Sequence, residues 1–503
     1  MVFLLINRDM TKFLDNTINK IKSLIRRISD FCVAKKTIIN RIYLISIIAY
    51  FFLVFLPNIT TSTPLSSFFN EGITKILYRV FIAISFGVIS FGAFFANQIE
   101  INKLLMYLLF GFLAFLIFGS FFNMSPISIS HINNYYEKVT IISKTGIIDV
   151  LTYYGNLAFS YIFCFAAFTC IPIVMKDKNK FLWLLDIFIA VMLILCLISY
   201  VKDFELYIAV FKLDYNQYGA KDISSLFPSK NAFGVFLFQG VASALIAHHY
   251  RQNSKFRFLY LISSSIMGLT LLCSLCKDAI FALGLFIIVS FIYFLLKKQK
   301  TKKDYICIII WSFIVFVVFV VAILVLNQSA FSNVPLLKKI YLFLGSNPVN
   351  KNDNALIGRL EIVAVFFLGI SGFHYLIGYG QALPANTYIW TLTYRGEGND
   401  NLHNTFLNMF GTGGILYLAF YLLILFYLFS LIFKTRKGDQ KLFFLLFGLL
   451  SAHTFYSLFE TSVLFLSGSS ATMLLAIIFV TLLYKQAHNN ILKGRESFYE
   501  VTI

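Results

Sequence analysis

The stretch TGGILYLAFYLLILFYLFSLIF, at residues 412–433, decides the class of fold. It carries no charged side chain, and as an α-helix it is long enough to cross the hydrocarbon core of a bilayer, which is about 30 Å thick. Similar apolar runs recur along the chain. A transmembrane β-barrel would instead show short segments of alternating hydrophobicity. The sequence therefore predicts an all-α, polytopic integral membrane protein.

The composition of the whole chain agrees with this prediction. Of the 503 residues, 59% are hydrophobic and 13% are charged, whereas a soluble domain carries about 25% charged residues. The net charge of +19 is interpreted mainly as a set of topology signals in cytoplasmic loops, with a smaller share facing anionic lipid or substrate. Nucleic-acid binding is not expected, since no soluble basic domain is visible. Cys273 and Cys276 have C-x-x-C spacing without a second pair, which indicates core residues rather than a metal or redox site.

About twelve spans are predicted, and the basic loops between them give the orientation. The spans lie near 42–57, 77–96, 104–122, 150–175, 181–200, 231–248, 258–275, 279–296, 305–326, 412–433, 441–459 and 463–484. If the helices alternate, Lys- and Arg-rich segments at 176–180, 248–257, 297–304, 434–441 and the C-terminal tail fall on one side. The positive-inside rule makes that side cytoplasmic, so both termini are expected in the cytoplasm.

The same alternation divides the chain into five parts. These are an amphipathic cytoplasmic segment at 1–41, spans one to nine at 42–326, a large periplasmic loop at 327–402, spans ten to twelve at 403–484, and a cytoplasmic tail at 485–503. The amphipathic segment is expected to lie against the membrane surface. Within the large loop, residues 360–380 are apolar. If this segment crossed the membrane, the orientation of all later spans would be reversed and the basic segment at 434–441 would lie outside. A peripheral or re-entrant helix is therefore expected.

Two pairs of charged residues on the predicted outer face are candidates for chemistry. Lys277 and Asp278 occupy a tight turn between two apolar runs, and they are either a pair at a helix end or a cation directed into an outer cavity. Arg359 opens a helix-like run and Glu361 follows it. Arginine suits bidentate contact with phosphate, although an ordinary surface ion pair explains the same pattern.

His403 precedes a glycine cluster where the chain enters the membrane. A histidine at such a place is either a satisfied interfacial side chain or a general base suited to neutral pH. Asn401 and Asn404 are placed to orient it. Lys230 and Asn231 open another span from the outer side. No metal site is expected, because no second histidine or carboxylate has the spacing of a metal motif.

Four motifs, taken in order, resemble the O-antigen polymerase and ligase superfamily of bacterial envelope glycosyltransferases. They are LFPSKNAFG (226–234), SLCKDAIFAL (274–283), GRLEIVAVFF (358–367) with LIGYG (376–380), and LHNTFLNMFGTGGILYL (402–418). The resemblance covers roughly 225–420, and the number of spans and the late large loop are also similar. One departure is Lys277, where the superfamily usually has arginine; the charge is kept but the bidentate geometry is not.

The resemblance implies transfer of a glycan from a polyprenyl-diphosphate carrier to a glycan acceptor at the periplasmic face of the bacterial inner membrane. In that reading Arg359 and Lys277 stabilise the leaving diphosphate, and His403 deprotonates the acceptor hydroxyl, with inversion at the anomeric carbon. Lys230, Asn231, Asn404, Glu361 and Arg395 are expected to contact substrate. No cofactor or metal is implied. Membrane lipids and a chain-length regulator are the other expected partners.

Three functions are compatible with the motifs. We favour a polymerase, which extends one carrier-linked chain with another; a ligase, which transfers the chain to lipid A–core, uses the same scaffold. A flippase or transporter is a third possibility. It would place polar residues through the depth of the bundle, whereas here they concentrate on one face.

Overall fold

A computed structural model describes residues 2–46, 72–97, 107–108, 110–115, 127–132, 138–143, 178–212, 223–227, 229–251, 254–296, 305–306, 308–309, 363, 366–367, 372–378, 403–436, 438–460 and 462. The helices are α1 (Val2–Ala34), α2 (Gly72–Asn97), α3 (Lys178–Lys202), α4 (Phe204–Lys212), α5 (Lys230–Tyr250), α6 (Arg257–Ser274), α7 (Lys277–Leu296), α8 (His374–Ile377), α9 (Thr405–Thr435) and α10 (Gln440–Tyr456). Two antiparallel strands, β1 (Ile127–Ile132) and β2 (Lys138–Ser143), form a hairpin.

The described part of the chain is predominantly helical, which confirms the predicted helical class of the fold. Four helices are long and apolar enough to cross a membrane, at Trp183–Lys202, Lys230–Tyr250, Arg257–Ser274 and Thr405–Thr435. The count of twelve spans stays a prediction, because spans 150–175 and 463–484 lie outside the described residues, as do most of 305–326 and of the loop 327–402.

The hairpin is the feature that the all-α prediction did not include. It lies within the predicted outer loop 123–149 and pairs Ile127 with Ser143 and Ile132 with Lys138. Its first strand reads ISISHI and its second KVTIIS. These segments are rich in β-branched residues, and such residues fit a pleated strand better than a helix.

Helix α5 lies at the centre of the described bundle. It contacts α3, α6, α7 and α10, while α7 packs along α10 and α9 packs beside α10. In its most apolar window 78% of the residues are buried, compared with 33% for α6. A helix that is apolar all round and buried all round belongs in the interior of a bundle, because it has no polar face to present elsewhere.

The polar residues of the described helices gather at the two ends of the bundle. At one end His249 Nε2 lies 2.8 Å from Asp439 Oδ2, and Arg251 Nη2 lies 2.5 Å from Asp186 Oδ2. We call this end the basic end. It contains the C-terminal ends of α5 and α9 and the N-terminal ends of α3, α6 and α10. The starts of α5, α7 and α9 lie at the opposite end. This arrangement agrees with the predicted alternation of these helices, and which end faces the cytoplasm stays a prediction.

The N-terminal segment is helical, as its periodicity predicts, and α1 packs against α2. Residues 36–46 continue as helix, and Asn40 and Asn97 exchange side-chain amide hydrogen bonds of 3.3 and 2.8 Å. Apolar side chains along α1 remain exposed, among them Ile21 and Leu24. An apolar face with basic residues beside it suits a helix at a membrane surface.

Candidate functional site

The start of α9 fixes the backbone around His403. Asn404 is the N-cap, and its side-chain oxygen accepts a hydrogen bond of 3.0 Å from the Leu407 amide. Its side-chain nitrogen donates to the Leu458 carbonyl at 3.0 Å. His403 itself has a φ of +46°, a left-handed conformation that histidine adopts more readily than most residues. Asn404 is therefore occupied with capping and with a link to the end of α10, not with orienting His403 as the sequence suggested.

The carboxylate of Glu460 contacts the His403 ring. His403 Nδ1 lies 3.3 Å from Glu460 Oε2, and the other carboxylate oxygen accepts a 2.8 Å hydrogen bond from Asn231 Nδ2. The Glu460 side chain is 9% exposed and that of His403 is 28% exposed. A buried carboxylate needs such partners, because an unpaired charge in the interior is costly. Glu460 thus joins the start of α5 to the start of α9.

Thr405 holds the Glu460 segment in place. Its hydroxyl donates to the Glu460 carbonyl at 3.0 Å and accepts from the Ser462 amide at 2.8 Å. Its backbone amide donates to the Ser457 carbonyl, also at 2.8 Å. Thr405 is fully buried. These three hydrogen bonds of the buried Thr405 attach the segment around Glu460 to the start of α9. The position of the Glu460 carboxylate is therefore fixed relative to that helix.

The turn between α6 and α7 reaches the same place through Cys276. The Cys276 thiol donates to Asn231 Oδ1 over 3.5 Å. This approach depends on Gly234, because a Cβ there would lie 2.8 Å from both Cβ and Sγ of Cys276. Burial raises the pKa of the Cys276 thiol to about 12, and the charges of Asp278 and Glu460 act in the same direction. The thiol therefore stays protonated and serves as a donor.

Lys277 is the first residue of α7 and is exposed, directly after the cysteine that contacts Asn231. Lys230 is the first residue of α5, directly before Asn231. The structure thus brings the two lysine-bearing helix starts to one end of the bundle, together with His403. The cysteine that the sequence assigned to an inert core is the residue that links them.

The loop before α5 is held by a second buried carboxylate. Asp203 Oδ2 accepts hydrogen bonds from the Ser225 amide at 3.1 Å and from the Ser199 hydroxyl at 3.0 Å. Lys202 donates to the Ser225 carbonyl, and Ser225 has a φ of +54°. Ser229 then caps α5 by accepting from the Ala232 amide at 3.2 Å. These contacts set the direction in which Lys230 and Asn231 enter the bundle.

Part of the predicted loop also docks on α9. The helix is interrupted at Gly414, whose φ is +71°, and α8 contacts α9. A Cβ on Gly414 would overlap the Leu376 carbonyl, and one on Gly378 would overlap the backbone of Thr412 and Gly413. Only glycine permits this approach of two backbones. The GYG element that the sequence singled out therefore begins at a contact surface with the helix that follows His403.

Arg359, Glu361 and Arg395 lie outside the described residues, so their roles stay predictions. Within the part of the chain that the structure describes, no group of three or more histidine, cysteine, aspartate or glutamate side chains is arranged to hold a metal ion.

The main residue that sequence reasoning missed is Glu460. It had a usable signal, because an ionisable residue in a short turn between two apolar runs is the pattern that singled out Lys277.

Residues 262–422 match a family model described as O-antigen ligase. The match contains Lys277, Arg359 and His403 and ends before Glu460; Asn231 precedes it. No curated protein shows significant similarity to the chain. The family match confirms the resemblance to the O-antigen ligase and polymerase superfamily, over about a third of the chain.

Proposed function

We propose, from the premise that residues 262–422 belong to the O-antigen ligase and polymerase superfamily, that this protein is a polymerase of surface polysaccharide. In the proposed reaction, an acceptor hydroxyl attacks the anomeric carbon of a carrier-linked repeat unit at the periplasmic face. The bond from that carbon to the diphosphate oxygen breaks, and polyprenyl diphosphate leaves. Attack opposite the leaving group inverts the anomeric centre.

The observation that carries the proposal is the hydrogen-bonded chain from His403 through Glu460 to Asn231. A carboxylate on Nδ1 favours the tautomer that carries its proton there, so Nε2 is the nitrogen that takes the acceptor proton. The same carboxylate stabilises the imidazolium that forms. A histidine that merely fills an interface needs no buried carboxylate behind it.

The leaving group in this reaction is a diphosphate, which gains negative charge as the bond breaks. Fixed cations stabilise such charge without a metal or a general acid. Lys277 is suited to this role, because its helix start is tied to Asn231 through Cys276. Arg359 is the second proposed cation. Lys230, Asn231, Glu361 and Arg395 are proposed to contact the sugar or the diphosphate. Asn404, which the sequence also suggested as a substrate contact, is proposed instead to hold the start of α9 in place, because both polar atoms of its side chain are engaged.

A ligase is the second candidate, because the matching family model is described as O-antigen ligase. The two activities differ in the acceptor. A ligase accepts lipid A–core, whereas a polymerase accepts another carrier-linked chain. The chemistry proposed for His403, Lys277 and Arg359 is common to both.

The test is assembly by the purified full-length protein with a defined polyprenyl-diphosphate-linked repeat. A polymerase produces a ladder of longer carrier-linked chains from that repeat alone, and a ligase gives product only when lipid A–core is added. His403→Ala and His403→Gln should both reduce product by about 10²–10⁴-fold. His248→Gln, at the basic end, is the matched control and should keep activity. Normal product from both His403 variants would remove the proposed base.

A further inference from the structure

The basic end contains a cavity that the proposed reaction does not use. Its volume is about 630 Å³, and it is lined by His249, Tyr293, Arg436, Gly438, Asp439, Gln440 and Lys441. Small-molecule sites typically measure ~300–1,000 Å³. The lining comes from the ends of α5, α7 and α9 and from the start of α10, so the cavity is a meeting point of four helices.

The charges in this cavity are arranged for an anion. Arg436 and Lys441 both line it. The one carboxylate in the lining, Asp439, is engaged on both oxygens. Oδ2 lies 2.8 Å from His249 Nε2, and Oδ1 accepts the Leu442 amide at 3.0 Å as the cap of α10. The positive end of the α10 dipole points to the same space. Arginine and lysine together with a helix start make a strong phosphate environment.

The surroundings of the cavity are apolar, which favours a lipid over a soluble anion. Phe433 lies one helical turn before Arg436 and is 49% exposed, and Leu296 lies one turn after Tyr293 and is 57% exposed. Both helices therefore carry exposed apolar side chains beside the polar cavity. A phospholipid presents the matching arrangement, because its phosphate is covalently attached to acyl chains.

We propose that this cavity binds the phosphate headgroup of an anionic phospholipid, with Arg436 and Lys441 as its ligands and the acyl chains lying along α7 and α9. In the sequence, α7 is followed by KKQKTKKD, at 297–304, which is one of the most basic segments of the chain. Basic pockets between helices at a membrane surface are suited to such headgroups. The proposal is independent of the glycosyl transfer assigned to the opposite end of the bundle.

The experiment is native mass spectrometry of the delipidated full-length protein with added lipid. The wild-type protein should retain dioleoyl phosphatidylglycerol and should not retain dioleoyl phosphatidylcholine, whose acyl chains are the same. Inorganic phosphate at millimolar concentration should not displace the bound lipid. Equal retention of the two lipids, or displacement by phosphate alone, would overturn the proposal; the second result would identify a site for a free anion.

Two double variants distinguish lipid binding in the cavity from attraction of the lipid by the overall charge of the basic end. Arg436→Gln with Lys441→Gln should weaken phosphatidylglycerol binding by about 30-fold, since each cation near a lipid headgroup contributes about fivefold. Lys434→Gln with Lys255→Gln removes the same charge from exposed positions of the basic end that do not line the cavity. That pair should change binding by less than about threefold. Equal losses in the two double variants would refute a specific site.

Discussion

Replacing Glu460 by glutamine should strongly slow the proposed glycosyl transfer while leaving the protein folded. The change removes one charge and almost no volume, and the glutamine oxygen still accepts the hydrogen bond from Asn231. The glutamine nitrogen, however, then faces His403 Nδ1 and donates to it. The imidazole proton moves to Nε2 as a result, so the nitrogen proposed as the base can no longer accept a proton.

The geometry gives the size of the effect. At the 3.3 Å that separates His403 Nδ1 from Glu460 Oε2, an imidazolium and a carboxylate attract by ~5 kcal/mol at an effective dielectric constant of about 20. The His403 ring is 28% exposed, so solvent reduces this attraction. We therefore expect kcat to fall by roughly 10²–10³-fold. KM for the carrier-linked donor should change little, because Glu460 acts through His403.

The assay follows release of polyprenyl diphosphate by purified protein, with size-exclusion profile and thermal unfolding as checks of folding. Asp186→Asn is the matched control, since Asp186 is a paired carboxylate at the basic end, 2.5 Å from Arg251. It should keep full kcat. A folded Glu460→Gln variant with kcat within threefold of the wild type would refute the assignment of Glu460 as the positioning residue for His403.

Three further predictions concern the cations and the loop contact. Arg359→Ala should lower the rate of product formation by about 10²–10³-fold, with Arg359→Lys only partly active, and wild-type rates from the alanine variant would remove Arg359 from the site. Lys277→Arg should retain more activity than Lys277→Ala in the same assay, because the need is for positive charge; equal, full activity of both would make the turn structural. Gly414→Ala should lower thermal stability in detergent, since its Cβ would overlap the Leu376 carbonyl. Its backbone, at φ +71° and ψ −170°, also lies in a region that only glycine adopts readily, which disfavours alanine by ~1–3 kcal/mol. Gly268→Ala is the control, because a Cβ there meets no atom within 4 Å; an equal loss in both variants would contradict the proposed contact.

The helices that the sequence predicted best are those bounded by charged residues. α5, α6 and α7 begin at Lys230, Arg257 and Lys277, within two residues of the predicted span starts. An apolar run that ends at a charge has a sharp boundary, because the charge is excluded from the hydrocarbon. Local sequence is therefore sufficient to locate these ends.

The start of α9 was predicted less well, for a physical reason. The span was expected from 412, within the glycine cluster where the chain was predicted to enter the membrane, but the helix begins at Thr405 and only Gly414 leaves helical geometry. The Asn404 cap and the burial of Thr405 maintain the helix through the other glycines. The low helix propensity of glycine is a weak predictor of where a helix begins when tertiary packing stabilises the same residues as helix.

The candidate site was predicted in part. The sequence singled out His403, Asn231 and Lys277 on one predicted face, and the structure brings the elements that carry them together. Glu460 was missed because its relation to His403 depends on two turns that are distant in sequence. The left-handed His403 and the thiol contact of Cys276 are likewise consequences of packing, and no local pattern indicates them.

The hydrogen bond between Asn231 and Glu460 also has a consequence for biosynthesis. The two residues are 229 positions apart in the chain, which at about 5–20 residues per second separates their synthesis by roughly 10–45 s. Over the last 57 residues of that interval, the nascent chain already contains His403 and both lysine-bearing helix starts, but not the carboxylate of Glu460. A ribosome-bound or truncated chain ending before Glu460 should thus insert into the membrane without consuming carrier-linked sugar, so the proposed activity begins only after Glu460 has been synthesised.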